Sequence, residues 1–327
     1  MDAVIASYLA ELELGELMKF GTLAIYPLFS TGNGSPRYLT LKEALNKNLL
    51  VVTEVDQAGS VPELKVVNKG EKPVLLLDGE ELMGAKQNRI LNTTILVRKR
   101  SETIIPVSCT ERGRWSWTSA VFADSDAVAS PGIRAVKATS VAESLNSSHR
   151  FRSDQSMVWE EVDELAKEAR VYSPTGAMRD VFEARRDKLE DCLKTFEYIP
   201  GQCGLLALGN EEVVGCDVIP YKSAYKQLHE KLVKSYALDV LLRKNRRDNG
   251  PSLEAAETFL KKASSCREKR YKSVGLGWDC RFEGEQIVGS ALLYRKKVIH
   301  PTFFKVNIGE QTGYMASSRR RLGFRVR

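Results

Sequence analysis

Between residues 20 and 118 the apolar positions come in short runs rather than at helical spacing. The runs 22–29, 49–55, 64–68, 74–77, 90–97 and 103–111 are rich in Val, Ile, Leu and Thr. Gly, Asn, Pro or Asp punctuates many of their ends, which is the pattern of strands and turns. One short helix, 41–46, falls among them. From residue 154 the spacing becomes helical. Asp154 offers an N-cap for a helix over 155–169, and 175–196, 224–244 and 252–265 follow with amphipathic periodicity. A hairpin is expected over 203–208 and 212–219, turning at Gly209-Asn210, and a last β region over 273–281, 286–294 and 298–304. The second strand of that first hairpin and residues 285–292 share a pattern of acid, apolar pair, Gly, small residue and apolar end. Hairpins with edge glycines commonly look alike in this way.

This order of elements predicts an α+β protein, with a mainly antiparallel β-rich first half followed by helices and two hairpins. Residues 1–118 form the β-rich region. Residues 119–153, rich in Ser and Ala around Pro131-Gly132 with a helix over 133–145, read as a linker or crossing segment. Residues 154–310 are the helical region, either a unit of its own or one domain with the first, and 311–327 are a basic tail. The first 18 residues carry four acids and no basic flank, so they read as a short amphipathic helix rather than a secretory signal.

Charge changes the picture less than the total suggests. The net charge is +7, but the last nine residues hold five arginines and no acid; subtracting these five leaves +2 for the remaining 318 residues. Either the tail is a solvated terminus or it contacts nucleic-acid phosphates, with Arg243-Lys244-Asn245-Arg246-Arg247 as a second basic run. No run of about 18 apolar residues is present, so no membrane helix is expected. The six cysteines are scattered without a CxxC pair, which suits reduced thiols in a cytoplasmic protein. The three histidines are far apart, so a zinc site is not expected. The chain lacks GxxxxGK[ST], GxSxG and a full dinucleotide fingerprint, which argues against P-loop NTPases, serine hydrolases of the α/β type and simple dehydrogenases.

The densest chemistry lies in Asp78-Gly79-Glu80-Glu81-Leu82-Met83-Gly84-Ala85-Lys86-Gln87-Asn88-Arg89, between two apolar runs. If 74–77, 90–97 and 103–111 form an antiparallel meander, this stretch meets Ser108–Trp115 at one sheet edge. The candidates there are Asp78, Glu80, Glu81 and Glu111 as acid–base groups, the first three also as oxygen ligands for a hard cation such as Mg²⁺. Gln87, Asn88, Arg89, Asn92 and Arg112 are candidates for ligand contacts, the arginines for phosphate or carboxylate. Trp115, with Trp117, offers a face for a planar ring. The same acids and arginines would equally serve by pairing with one another to hold a loop. Lys231, Ser235 and Asp239 form a polar stripe at i, i+4 and i+8 on a helix, either solvated or turned toward the same edge. Cys109 is a nucleophile candidate beside Arg112, or else a buried thiol. His300 is its distant partner candidate, or a hydrogen-bonded strand-end residue.

The run 77–82 with Gly84, Gln87-Asn88-Arg89 and Asn92 resembles the ARPP-1 domain, the ADP-ribosylglycohydrolase and rhodanese-phosphatase associated protein domain, a domain of unknown function. Pro106-Val107-Ser108-Cys109, Glu111, Gly113-Arg114-Trp115, Lys231-Leu232, Ser235-Tyr236-Ala237, Asp239, Gly275-Leu276-Gly277 and His300 fit the same resemblance, which covers roughly residues 15–305. It implies a link to ADP-ribose or NAD metabolism through associated domains and brings no catalytic residues with it. The expected function is binding or processing of a nucleotide-like small molecule at the polar edge. The rival is a non-catalytic interaction or scaffold domain using the same edge as a partner surface. The sequence leaves the oligomeric state open.

Overall fold

The computed structural model describes residues 1–32, 36–210, 212–242 and 252–306. These residues form eight helices and eighteen strands in an α+β fold. Three sheets organise it. The largest has nine strands, in the order Glu13–Leu14, Leu23–Phe29, Gly204–Gly209, Glu212–Val218, Lys297–Lys305, Ile287–Tyr294, Trp278–Gly284 and Arg267–Lys272, with Met18–Phe20 also paired to Leu23–Phe29. All its pairs are antiparallel. A six-stranded sheet runs Phe122–Val128, Glu80–Gly84, Arg89–Leu91, Ser101–Cys109, Glu63–Asn68 and Leu50–Glu54. A three-stranded sheet runs Ile95–Val97, Val74–Leu76 and Leu39–Thr40, and its last pair is parallel.

Local chemistry explains the elements. In Leu50–Glu54 the residues Leu50, Val52 and Glu54 are buried while Val51 and Thr53 are less so, the two-residue period of a half-buried strand. Thr40 and Glu43 close a capping box on helix Leu41–Asn46. Asp154 accepts from the Ser156 and Met157 amides to start helix Gln155–Glu168, and Pro131 opens helix Pro131–Ser148. One apolar core lies between the nine-stranded sheet and the helices Pro131–Ser148, Gln155–Glu168, Arg186–Thr195 and Lys222–Leu242. A second lies on the other face of that sheet, under helices Ala3–Ala10 and Leu253–Ser264. A third fills the space within the two smaller sheets.

Three expectations change. Residues 90–97 are not one strand. Arg89–Leu91 pairs with Val107–Cys109 and Ile95–Val97 pairs with Val74–Leu76, in different sheets. The expected meander is therefore not formed. The break falls at Asn92-Thr93-Thr94, whose side chains bond to Ser108, Phe151, Asp279 and His300 instead of continuing a ladder. Second, Glu80–Gly84 is itself a strand, placed between Phe122–Val128 and Arg89–Leu91. The polar stretch is thus inside a sheet rather than at its edge. Third, residues 175–196 hold two helices, Met178–Ala184 and Arg186–Thr195.

Residues 119–153 contribute the strand Phe122–Val128 and the helix Pro131–Ser148, which carries the fully buried Arg134 and Lys137. The strand Arg267–Lys272 was not expected. Its sequence is almost wholly charged, as suits an outermost strand with solvent on its free side. The Arg-rich tail and 243–247 lie outside the described residues.

Candidate functional site

Three polar clusters radiate from the 78–92 segment. The first is centred on Asp78, just before Glu80–Gly84. Its carboxylate receives Lys137 and, at 3.3 Å, Arg134 Nε. Arg134 passes over Gly79, whose φ is +77° and where a Cβ would stand 2.9 Å from the Arg134 Cδ, so only glycine leaves the path open. Arg134 then forms a two-pronged pair with Asp217 at 2.7 and 2.6 Å. Asp217 also takes Tyr236 Oη at 2.8 Å and lies 2.9 Å from His300 Nε2, while His300 Nδ1 lies 2.7 Å from Thr94 Oγ1. Asp279 and Arg281 extend the network at 2.6 Å, and Asn92 joins it through its carbonyl, which accepts from Lys137 at 3.2 Å.

Burial alone would raise Asp78, but Lys137 and Arg134 offset it and hold the carboxyl below its ordinary value. The same opposition, won by Arg134, holds Asp217 far below the carboxylate range. Burial pulls Lys137 down to about 8 despite Asp78. His300 is accordingly a hydrogen-bonded core residue at a strand position, bonded to Thr94 and Asp217, whereas Cys109 bonds to Gln87 and Glu111.

The second cluster uses Glu80 and Glu81. Glu80 meets Lys231 Nζ at 2.7 Å, and Lys231 also meets Asp124 at 2.6 Å. Ser235 donates to the Ala129 carbonyl at 2.7 Å. The Lys231–Ser235 stripe therefore faces the protein interior and is not solvated. Glu81 leaves its strand toward Thr110, which donates to Oε1 at 2.9 Å, while Oε2 has no hydrogen-bond partner among the described residues. Burial raises the Glu81 carboxyl to about 7, against the Thr110 hydrogen bond.

The third cluster gathers the remaining candidates. Gln87 Nε2 donates to the Glu111 carbonyl at 2.9 Å and the Asn88 amide to Glu111 Oε2 at 3.1 Å. Arg114 clamps the same Glu111 carboxylate at 2.5 Å and Asn88 Oδ1 at 3.2 Å. Arg89 is 0% exposed. Its Nη1 donates to Gln87 Oε1 at 2.8 Å, but Nε and Nη2 have no hydrogen-bond partner among the described residues. The Trp115 ring lies over the guanidinium at 5.6 Å and is itself 47% exposed. Lys86 Nζ stands 5.1 Å from Trp115 and 5.3 Å from Trp117. Cys109 is a buried thiol donating to Gln87 Oε1, raised by burial despite Arg89, and so is poorly suited to attack. Arg112 points elsewhere, toward Asp163 at 3.6 Å and the Trp159 ring.

The two segments expected to converge do so, through β-pairing and the Glu111 contacts. The catalytic candidates do not share one centre: Asp78, Glu80, Glu81 and Glu111 each have separate partners. Among the described residues no group of three or more His, Cys, Asp or Glu is placed to hold a metal ion, so Asp78, Glu80 and Glu81 do not fit a common Mg²⁺. Sequence reading missed Arg134, Lys137, Asp217, Asp279 and Arg281. A signal for the first two existed: they sit three apart in an Ala- and Ser-rich helix, in register with the apolar Val141.

No helix among the described residues is long and apolar enough to cross a membrane. No curated protein and no solved structure matches the chain. A match to a family does span residues 11–304, nearly the whole chain. The chain belongs to the family of the ARG and Rhodanese-Phosphatase-superfamily-associated Protein domain.

Proposed function

We propose that this protein binds a nucleotide-like anion, an ADP-ribose or NAD derivative, at the corner formed by Gln87, Asn88, Arg89, Glu111 and Trp115. The observation that carries the reading is Arg89: a fully buried guanidinium with two nitrogens lacking acceptors. An unpaired buried charged donor costs more than the roughly 1–3 kcal/mol of a neutral one, so a structure that keeps it invites an anion. Gln87 fixes the fork from one side, and Gln87 and Asn88 are themselves fixed by Glu111. Trp115 covers the guanidinium and leaves its ring open to stack on a base. The ARG association of the family supports the same ligand class.

Proton transfer in this reading is not assigned to Asp78, Glu80 or Glu111, which are held by Lys137 and Arg134, by Lys231 and by Arg114. Burial raises Glu81 to about 7, which lets it exchange a proton near neutrality. Calorimetric titration with ADP-ribose and NAD tests the reading, using wild type, Arg89→Gln and the surface variant Trp115→Ala. Binding weakened ten-fold or more in Arg89→Gln, on the order expected for a charged hydrogen bond, supports it. Absence of heat with either ligand contradicts it.

A second reading is favoured by one observation. Trp115, Trp117, Val121 and Val61 are exposed apolar side chains, and the two tryptophans flank Lys86. A partner protein covering them is the scaffold alternative. Co-purification of a partner, lost in Trp117→Ala with ligand binding intact, would favour it.

A further inference from the structure

Glu54 ends the strand Leu50–Glu54 on its buried side, beside Leu50 and Val52. Its Oε1 accepts from the Lys86 amide at 3.4 Å, and its Oε2 has no hydrogen-bond partner among the described residues. A buried carboxylate oxygen without a donor is as costly as a buried guanidinium without an acceptor. The two deficits occupy the same corner. Glu54 is among the charges that favour the Arg89 cation, yet no hydrogen bond joins its free oxygen to either free Arg89 nitrogen.

Gly59 shows what lies between Glu54 and the aromatic face. A Cβ at Gly59 would stand 3.5 Å from Glu54 Oε2, 3.4 Å from the Trp115 ring and 3.1 Å from the Lys86 chain. Carboxylate, ring and lysine thus surround a residue with no side chain, and the Arg89 guanidinium lies 5.6 Å from the same ring. An acceptor facing one way and a donor pair facing the other need a third party carrying both functions. Inorganic phosphate alone would satisfy Arg89 and leave Glu54 facing like charge. A ligand ammonium would satisfy Glu54 but meet Lys86 and Arg89. Neutral hydroxyls meet neither objection.

We infer that Glu54 is the sugar-hydroxyl acceptor of this site, so that the ligand class is a ribosyl phosphate bearing a planar base. The hydroxyls donate to Glu54 Oε2, the phosphate accepts from Arg89 Nε and Nη2, and the base lies on Trp115. Acidic side chains serve ribose diols in this way elsewhere in protein chemistry. The inference rests on the anion-binding reading of Arg89.

The test is calorimetric titration of the full chain with adenosine monophosphate and with its 2′,3′-dideoxy counterpart, in wild type, Glu54→Gln and Glu54→Asp, with thermal melts confirming the fold of each. Wild type is expected to prefer the ribose form by about ten-fold or more. Both variants are expected to lose most of that preference while still binding the dideoxy form. A preference that persists in Glu54→Gln and Glu54→Asp overturns the assignment of Glu54 and leaves Arg89 standing. Failure of wild type to bind either nucleotide overturns both. Glu54-dependent binding of a free amino acid in place of the nucleotide overturns the hydroxyl assignment in favour of an ammonium.

Discussion

Arg89 and Glu81 show how much a single buried charge reveals. Both come from the same twelve-residue stretch, and both keep polar atoms that nothing among the described residues satisfies. For Glu81 the consequence can be read against pH. Burial raises its carboxyl from the ordinary 4.5 to about 7, so the native state keeps a proton that the unfolded chain releases between those values. The stability it contributes is therefore complete below about pH 4.5 and falls as pH rises through 7. At about 1.4 kcal/mol per unit the span is roughly 3 kcal/mol. Glu81→Gln cannot titrate. Urea unfolding of the two proteins at about pH 4.5, 6 and 8 should show the variant gaining on wild type by that order. A difference that does not change with pH contradicts the assignment.

At the scale of elements, alternation and capping made most strands and helices readable, while the polar positions that redirect the chain were not. The 90–97 run looks like one strand because its apolar ends hide the Asn92-Thr93-Thr94 break. Only partners far along the chain, Asp279 and His300, explain why the backbone turns there. The 78–81 segment turns for a related reason. Gly79 holds a left-handed conformation so that Arg134 can pass against it. Gly79→Ala adds backbone strain of about 1–3 kcal/mol and a methyl 2.9 Å from the Arg134 chain. The expected loss, about 3 kcal/mol or more by denaturant unfolding, exceeds strain alone because Arg134 must shift off Asp78 and Asp217. A loss below about 1 kcal/mol, the lower end of that strain range, would mean that the close approach carries no weight.

Across the whole molecule, a buried ionic network joins the nine-stranded sheet to the helix Pro131–Ser148 and to the 78–94 segment. Asp217 is its hub, holding Arg134, His300 and Tyr236. Removing one partner of a buried pair leaves an uncompensated charge and costs about 3–5 kcal/mol. Asp217→Asn should lower stability by that order in urea, and a change under about 1 kcal/mol would be inconsistent with the network. The α+β class was legible in the sequence, because hydrophobic period carries it; the two polar segments do come together, but through the pairing of Arg89–Leu91 with Val107–Cys109 and not through the expected meander. The division of the carboxylates among Lys137, Lys231, Thr110 and Arg114 was not legible. It depends on which buried cation or hydroxyl a distant helix or loop presents, and an Ala- and Ser-rich helix advertises Arg134 and Lys137 only weakly.

Everything proposed for this corner turns on Arg89 beneath Trp115 receiving the phosphate of a nucleotide-like ligand. The most direct test is calorimetric titration of ADP-ribose into wild type and Arg89→Gln, with matched thermal melts. Measurable heat is expected for wild type, with an affinity at least ten-fold weaker for the variant at comparable folding. Equal affinities in the two proteins, or no heat in wild type, would contradict it.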